Sequence, residues 1–147
     1  MVSPELLRRY PYFTPISHET LKKVAMIAEE RSVPAGTTIF REWDNASHLY
    51  VILKGEVQVQ YTLPNGEPRY ADTLGEGDLL VWSALVAPYR TTGSGVATQD
   101  TRLVAIEASP LRELCEEDPH LGFRLMGEIV RTLAERLEAT RVQLAVK

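Results

Sequence analysis

The feature that most constrains this chain is its punctuation. Between residues 33 and 106, short apolar or alternating runs are cut by turn signals at Val33-Pro34-Ala35-Gly36, Lys54-Gly55-Glu56, Pro64-Asn65-Gly66 and Gly75-Glu76-Gly77-Asp78. Glycine and proline at these spacings stop helices from forming and favour reversals of direction. The runs between them read as strands at residues 37–40, 49–53, 57–61, 69–73, 96–98 and 102–106. Val57-Gln58-Val59-Gln60-Tyr61 alternates apolar with polar side chains, which marks a strand with one face buried. Many short strands at this spacing predict a β-sandwich or jelly roll.

Both ends are helical in pattern. Ser3-Pro4 is a cap and first-turn pair opening a short helix to about residue 9. A second helix is predicted from Ser17 to about Glu30, with Leu21, Val24, Ala25, Ile27 and Ala28 on one side. Ser109-Pro110 and Asp118-Pro119 repeat the cap device, opening a short helix to about residue 117 and a long one to the terminus. The expected division of this single domain is therefore N-terminal helices over 1–30, the β region over 31–108 and C-terminal helices over 109–147. On the last helix Phe123, Met126, Val130, Leu133, Leu137, Thr140 and Leu144 step alternately by three and four, the spacing of a heptad seam. A seam of this length predicts a parallel homodimer, in which Met126, Val130, Leu133, Leu137 and Leu144 meet a second copy.

Composition narrows the function. The 147 residues carry 16 Lys+Arg and 20 Asp+Glu, a net charge of −4, which does not suit a broad polyanion-binding face. Cys115 is the only cysteine, so an intrachain disulfide, a Cys-based zinc site and a cysteine-held iron–sulfur cluster are excluded. Its place after Leu111 and Leu114 reads as core. No run is long and apolar enough for a membrane span, and the start has no apolar signal region, so a cytoplasmic protein without membrane contact is expected. His18, His48 and His120 lack metal-ligand spacing, and no set of catalytic groups stands out, so no enzyme activity is expected. Arg131, Glu135, Arg136 and Glu138 alternate in sign along the last helix and read as a solvated face.

Three stretches together resemble the cyclic-nucleotide-binding domain of the catabolite activator (Crp-Fnr) type. Gly36-Thr37-Thr38-Ile39-Phe40-Arg41-Glu42-Trp43-Asp44 is similar to that family's first strand pair, where the pattern reads I-F-R-E-G-D. Residues 49–59 resemble its strand, glycine turn and second strand. Leu74-Gly75-Glu76-Gly77-Asp78 resembles the turn entering its phosphate-binding cassette. The resemblance implies a mainly β protein with flanking helices: a β-roll of jelly-roll topology with a long C-terminal dimerisation helix. It also implies a regulatory sensor whose ligand is a cyclic nucleotide or another anion, with no other cofactor assigned.

In that family the cassette reads roughly G-E-L-A-L, with R-T/S-A after about five residues. The glutamate accepts from the ribose and the arginine grips the phosphate with a forked pair of hydrogen bonds. Here the glycine position falls on Val81, the glutamate on Trp82, the leucine on Ser83 and Ala-Leu on Ala84-Leu85. The arginine position falls on Thr91, with Arg90 one residue early. Each charge-assisted bond is worth about 1.5–3 kcal/mol, so losing both would weaken binding roughly 10²–10⁴-fold. The candidate ligand residues are Trp82, Ser83, Ala84, Arg90, Thr91 and Thr92, forming an altered cassette. The alternative is a structural or protein-interaction module in which Trp82 fills the pocket. The family's regulators carry a helix-turn-helix after the dimer helix. The chain ends at Lys147, so direct DNA binding is not expected of it.

Overall fold

A computed structural model describes residues 1–146. Helices α1 (Pro4–Arg8) and α2 (His18–Met26) come first. Eight strands follow: β1 (Ala28–Val33), β2 (Thr38–Phe40), β3 (His48–Lys54), β4 (Val57–Thr62), β5 (Pro68–Leu74), β6 (Leu79–Leu80), β7 (Ser94–Ala97) and β8 (Thr101–Glu107). A three-residue 3₁₀ turn, Trp82–Ala84, interrupts them after β6, and helices α3 (Ala108–Glu117) and α4 (Pro119–Val146) close the chain. Among the described residues the strands form two four-stranded antiparallel sheets, ordered β1-β8-β3-β6 and β2-β7-β4-β5. This is the jelly-roll arrangement that the turn spacing and the resemblance predicted. No helix of the described residues is long and apolar enough to cross a membrane.

Burial explains the strand pattern. Leu49, Val51, Ile52, Leu103, Val104 and Ile106 are fully buried on β3 and β8, the two central strands of the first sheet. Both faces of that sheet are covered, so these strands read as continuous apolar runs, whereas β4 alternates. Leu7, Phe13, Ile16 and Leu21 from the N-terminal segment join the same core, with Leu111, Leu121 and Leu125 from α3 and α4. The β3–β4 turn depends on Gly55, whose φ is +111° and where a Cβ would collide with Thr101 Oγ1.

The turn pattern does not predict strand β6, β7 starts at Ser94 rather than Val96, and two helix boundaries differ from expectation. The second helix stops at Met26 rather than Glu30, because Ile27 leaves helical geometry and residues 28–33 pair with β8 in register from Ala28–Ile106 to Val33–Thr101. The roll therefore begins at Ala28, not at residue 31. Ala-Glu-Glu-Arg is helix-friendly in isolation, and the hydrogen bonds offered by the edge of β8 override that preference. Helix α3 starts at Ala108, with Glu107 as its cap residue, so Ser109 and Pro110 lie inside the first turn and not at the cap and first position. Proline is accepted there because the first N–H groups of a helix have no intrahelical partner.

Helix α4 is held at its start and along one stripe. The Asp118 carboxylate accepts from the His120 N–H (3.1 Å) and from the Thr20 hydroxyl (2.7 Å), joining α2 to the corner between α3 and α4. Gly122 packs on Cys115, 3.3 Å from where its Cβ would be, so the two helices meet closely. Cys115 is half-buried, and burial with the nearby Asp118 pushes its thiol up to about 11, so it stays protonated at neutral pH. Leu121, Leu125 and Ile129 are buried, and every described residue from Leu137 onward is exposed.

The Thr20 hydroxyl, then the His120 and Leu121 backbone N–H groups, hold the Asp118 carboxyl below its ordinary range. A value lower in the folded state means that the carboxylate stabilises the fold above the unfolded value of about 4, and this stabilisation is lost as pH falls through the folded value. Asp118→Ala is expected to cost about 1 kcal/mol at neutral pH. The gap from wild type should narrow in acid, as read from urea melts at pH 7 and pH 3. A gap that stays constant into acid would contradict this role.

Candidate functional site

The site is built where the two sheets open beneath α4. The turn at Gly75–Asp78 leads from β5 into β6 beside it. Asp78 Oδ2 accepts from the Gly75 N–H (2.8 Å), and the Tyr12 hydroxyl donates to the Gly77 carbonyl (2.7 Å). Strand β6 then delivers Val81 and the 3₁₀ turn. The loop beyond is pinned to α3 by Arg112, which donates to the Ala84 carbonyl (2.8 Å) and lies 4.0 Å over the Tyr89 ring. The cassette turn is thus gripped from the N-terminal segment on one side and from α3 on the other.

Inside it lies a cavity of about 20 Å³, room for roughly one water molecule. Ligand pockets commonly span about 300–1,000 Å³. Three aromatic rings line this one: Phe40, Tyr61 and Trp82. Phe40 stacks with Tyr50 at a centroid distance of 6.3 Å and lies over Gly95, where any Cβ would collide with its ring. Ser83, Thr91 and Thr92 contribute the hydroxyl-bearing part of the lining, and Arg136 of α4 reaches in from above. The Arg136 guanidinium pairs with Asp72 of β5, Nε to Oδ2 at 3.2 Å, with the two side chains only 19% and 24% exposed.

Of the residues singled out in the sequence, the structure gathers Trp82, Ser83, Thr91 and Thr92 around the cavity. Ala84 is fully buried, and its carbonyl serves Arg112. Arg90 is not brought to the cavity. It is exposed, bridged to Asn45, and its Nη1 donates to the Trp43 carbonyl at 2.8 Å. Thr91, at the family's arginine position, is 2% exposed and spends its hydroxyl on the 41–44 turn, donating to the Arg41 carbonyl and accepting from the Asp44 N–H.

Sequence reasoning missed Arg136, Asp72 and Phe40. Arg131 does belong to the solvated, ion-paired face, bonding Glu128 and Glu135, but Arg136 turns away from it. The available signal was its spacing. Ile129, Thr132 and Arg136 step by three and four, continuing the buried stripe of Leu121, Leu125 and Ile129.

Two positions where the family pattern carries glycine keep glycine-like geometry without glycine. Trp43 has φ +70° and Val81 has φ +67°. Left-handed backbone costs a residue with a Cβ about 1–2 kcal/mol. At Val81 burial of the side chain offsets the cost. Trp43 has no such offset, being 66% exposed and held by its N–H to the Thr91 carbonyl at 3.0 Å. Trp43→Gly is therefore expected to raise stability by about 1 kcal/mol, measured as a higher urea midpoint. A lower midpoint would show that the indole contributes packing.

Comparison with known proteins agrees with this geometry. The chain is 25% identical over 141 residues to a CRP-like cAMP-activated global transcriptional regulator of Mycobacterium tuberculosis, covering 96% of this chain and 61% of that protein. It is 27% identical over 125 residues to the cyclic AMP receptor protein of Thermus thermophilus, covering 85% of this chain and 58% of that one. The chain therefore spans about three-fifths of each regulator's length. A solved structure of a candidate cyclic nucleotide-binding protein from Geobacter metallireducens superposes with a TM-score of 0.82 at 36% identity, covering 93% of this chain and 99% of that chain. The family model of the cyclic nucleotide-binding domain matches residues 30–118, from β1 to the α3–α4 corner, and the chain belongs to that family.

Proposed function

We propose that this chain is a dimeric regulatory module that keeps the cyclic-nucleotide-binding fold and closes its pocket with its own side chains. In this reading it passes signals through α4 to partner proteins, in the cytoplasm, without catalysing a reaction. The observation that carries the reading is the lining of the cavity. Phe40, Tyr61 and Trp82 line a cavity of about 20 Å³, against the few hundred Å³ or more that ligand pockets commonly span. Trp82 stands where the family's ribose acceptor would be, and Arg90 is turned outward onto Trp43. Arg136, the cation at the cavity, already has Asp72 as its partner.

One observation favours a second reading, a sensor for a small anion. Arg136 sits beside Ser83 and Thr92 at the cavity, so an anion able to displace Asp72 would meet a guanidinium and two hydroxyl groups. Calorimetric titration with cyclic AMP and cyclic GMP separates the readings. The pocket-filled reading expects no heat up to about 1 mM, the regime of negligible affinity. Micromolar binding would overturn it. Binding abolished by Arg136→Ala but kept in Arg90→Ala would establish the sensor with Arg136 as its clamp.

The dimer reading is supported by α4. Phe123, Val130, Leu137 and Leu144 are all more than half exposed on the seam, although they are apolar and regularly spaced. Sedimentation equilibrium is expected to give a dimer at tens of micromolar, and Leu137→Glu a monomer with unchanged circular dichroism from the β-roll. A monomeric wild-type protein would contradict this.

A further inference from the structure

Among the described residues, three other than glycine adopt left-handed backbone: Trp43 (φ +70°), Val81 (φ +67°) and Tyr89 (φ +61°). A Cβ makes that conformation costly, and such strain persists where the surrounding structure enforces it, often at functional positions. Val81 is buried, but Trp43 and Tyr89 are large aromatic residues held at the surface, 66% and 37% exposed. They stand on two loops fastened to one another. The Trp43 N–H donates to the Thr91 carbonyl (3.0 Å), the Thr91 N–H to the Asp44 carbonyl (2.9 Å) and the Ala46 N–H to the Tyr89 carbonyl (2.8 Å). Arg90 adds its bond to the Trp43 carbonyl, and the Arg112 guanidinium backs the Tyr89 ring. An ordered backbone thus holds both rings outward, which lowers the entropy that a partner would have to remove. Beside Tyr89 lies a groove of about 490 Å³ between these loops and the start of α3, with Pro88, Pro110 and Arg112 among its walls.

The charges of this surface select the kind of partner. Arg41 and Arg90 are exposed, and neither they nor Arg112 form an ion pair among the described residues. The Glu42 carboxylate is spent on the Thr62 N–H (3.2 Å), which leaves Asp44 on the loop and Glu107 in the groove. Three guanidinium groups therefore stand against two unpaired carboxylates, a net positive surface on a chain of net charge −4. We propose that Trp43 and Tyr89 form a docking surface for an acidic segment of a partner protein. The indole is its anchor, and Arg41, Arg90 and Arg112 pair with the carboxylates of the segment. Tryptophan and arginine are the residues that most often carry binding energy at an interface, and a guanidinium takes a carboxylate through a forked pair of hydrogen bonds. Glycine at position 43 would relieve the backbone but remove the anchor. Neither Trp43 nor Tyr89 lines the cavity beneath α4, so the proposal does not need that cavity to be closed or α4 to pair with a second copy.

The probe is a displayed library of random peptides selected on the full chain. The enriched peptides are expected to carry Asp and Glu around an apolar residue, and to bind more weakly as salt rises. Trp43→Gly and Trp43→Asn both accept left-handed backbone, so each should keep the wild-type circular dichroism while weakening a selected peptide by about tenfold or more. Arg41→Glu should weaken the same peptide by a similar factor. The Trp43 indole N–H signal, assigned by its loss in Trp43→Gly, should shift as the peptide is added. Enrichment of neutral or basic peptides, or of acidic peptides indifferent to both Trp43 variants, would overturn the proposal. Failure to enrich any Trp43-dependent peptide would do the same. A single-stranded DNA oligonucleotide that binds the wild type and not Trp43→Gly, where the peptides do not, would reassign the surface to a nucleic acid and overturn the acidic segment.

Discussion

The ion pair between Arg136 and Asp72 ties the second half of α4 to the roll. Up to Ile129 the helix is held by burial of Leu121, Leu125 and Ile129, a stripe that would keep it in place without any charge. Past Ile129 that apolar stripe ends, and the next turns offer the roll only Thr132, Leu133 and Arg136, all half-buried. An ion pair this sheltered from solvent is worth about 1 kcal/mol, modest against the whole fold but enough to select one position of a helix end. It places a guanidinium at the cavity, while Phe123, Val130 and Leu137 remain exposed along the helix.

In the proposed reading the cassette beneath it has exchanged the side chains that would hold a nucleotide. Val81 and Trp43 hold left-handed conformations at the glycine positions of the family pattern, so the turns survive substitutions that strain them. Thr91 secures the 41–44 turn, Arg90 bonds the Trp43 carbonyl, and the Trp82 ring lines the cavity. Arg112 fixes the loop to α3 through Ala84 and Tyr89, coupling the cassette to the corner from which α4 departs.

How far the sequence revealed this depends on the range of the interactions involved. Turn chemistry is local, so the breaks at Gly36, Gly55, Gly66 and Gly77 located strands β2 to β5 within a residue or two. Strand β1 was invisible because Ala28-Glu29-Glu30-Arg31 carries a helical preference that only pairing with β8 reverses. The cassette residues lining the cavity were legible through position in a recurring pattern. The direction of the Arg90 side chain was not, since it depends on the Trp43 carbonyl 47 residues away. Arg136 was misread because alternating charge looks the same whether a helix faces water or, at one position, an acid on a distant strand. Such long-range pairings leave no mark on local pattern.

In the proposed reading Trp82, Phe40 and Tyr61, which line the cavity, close this family member's chamber to a nucleotide. The most direct measurement is a two-dimensional NMR titration of the nitrogen-15-labelled chain with cyclic AMP, following the Trp82 indole N–H and the Thr91, Thr92 and Gly93 amides. With the chamber filled, these signals are predicted to hold their positions at about 1 mM nucleotide, a concentration that would reveal even weak binding. Saturable shifts at these four residues would contradict it, showing that the rings move aside and the chamber opens for a nucleotide.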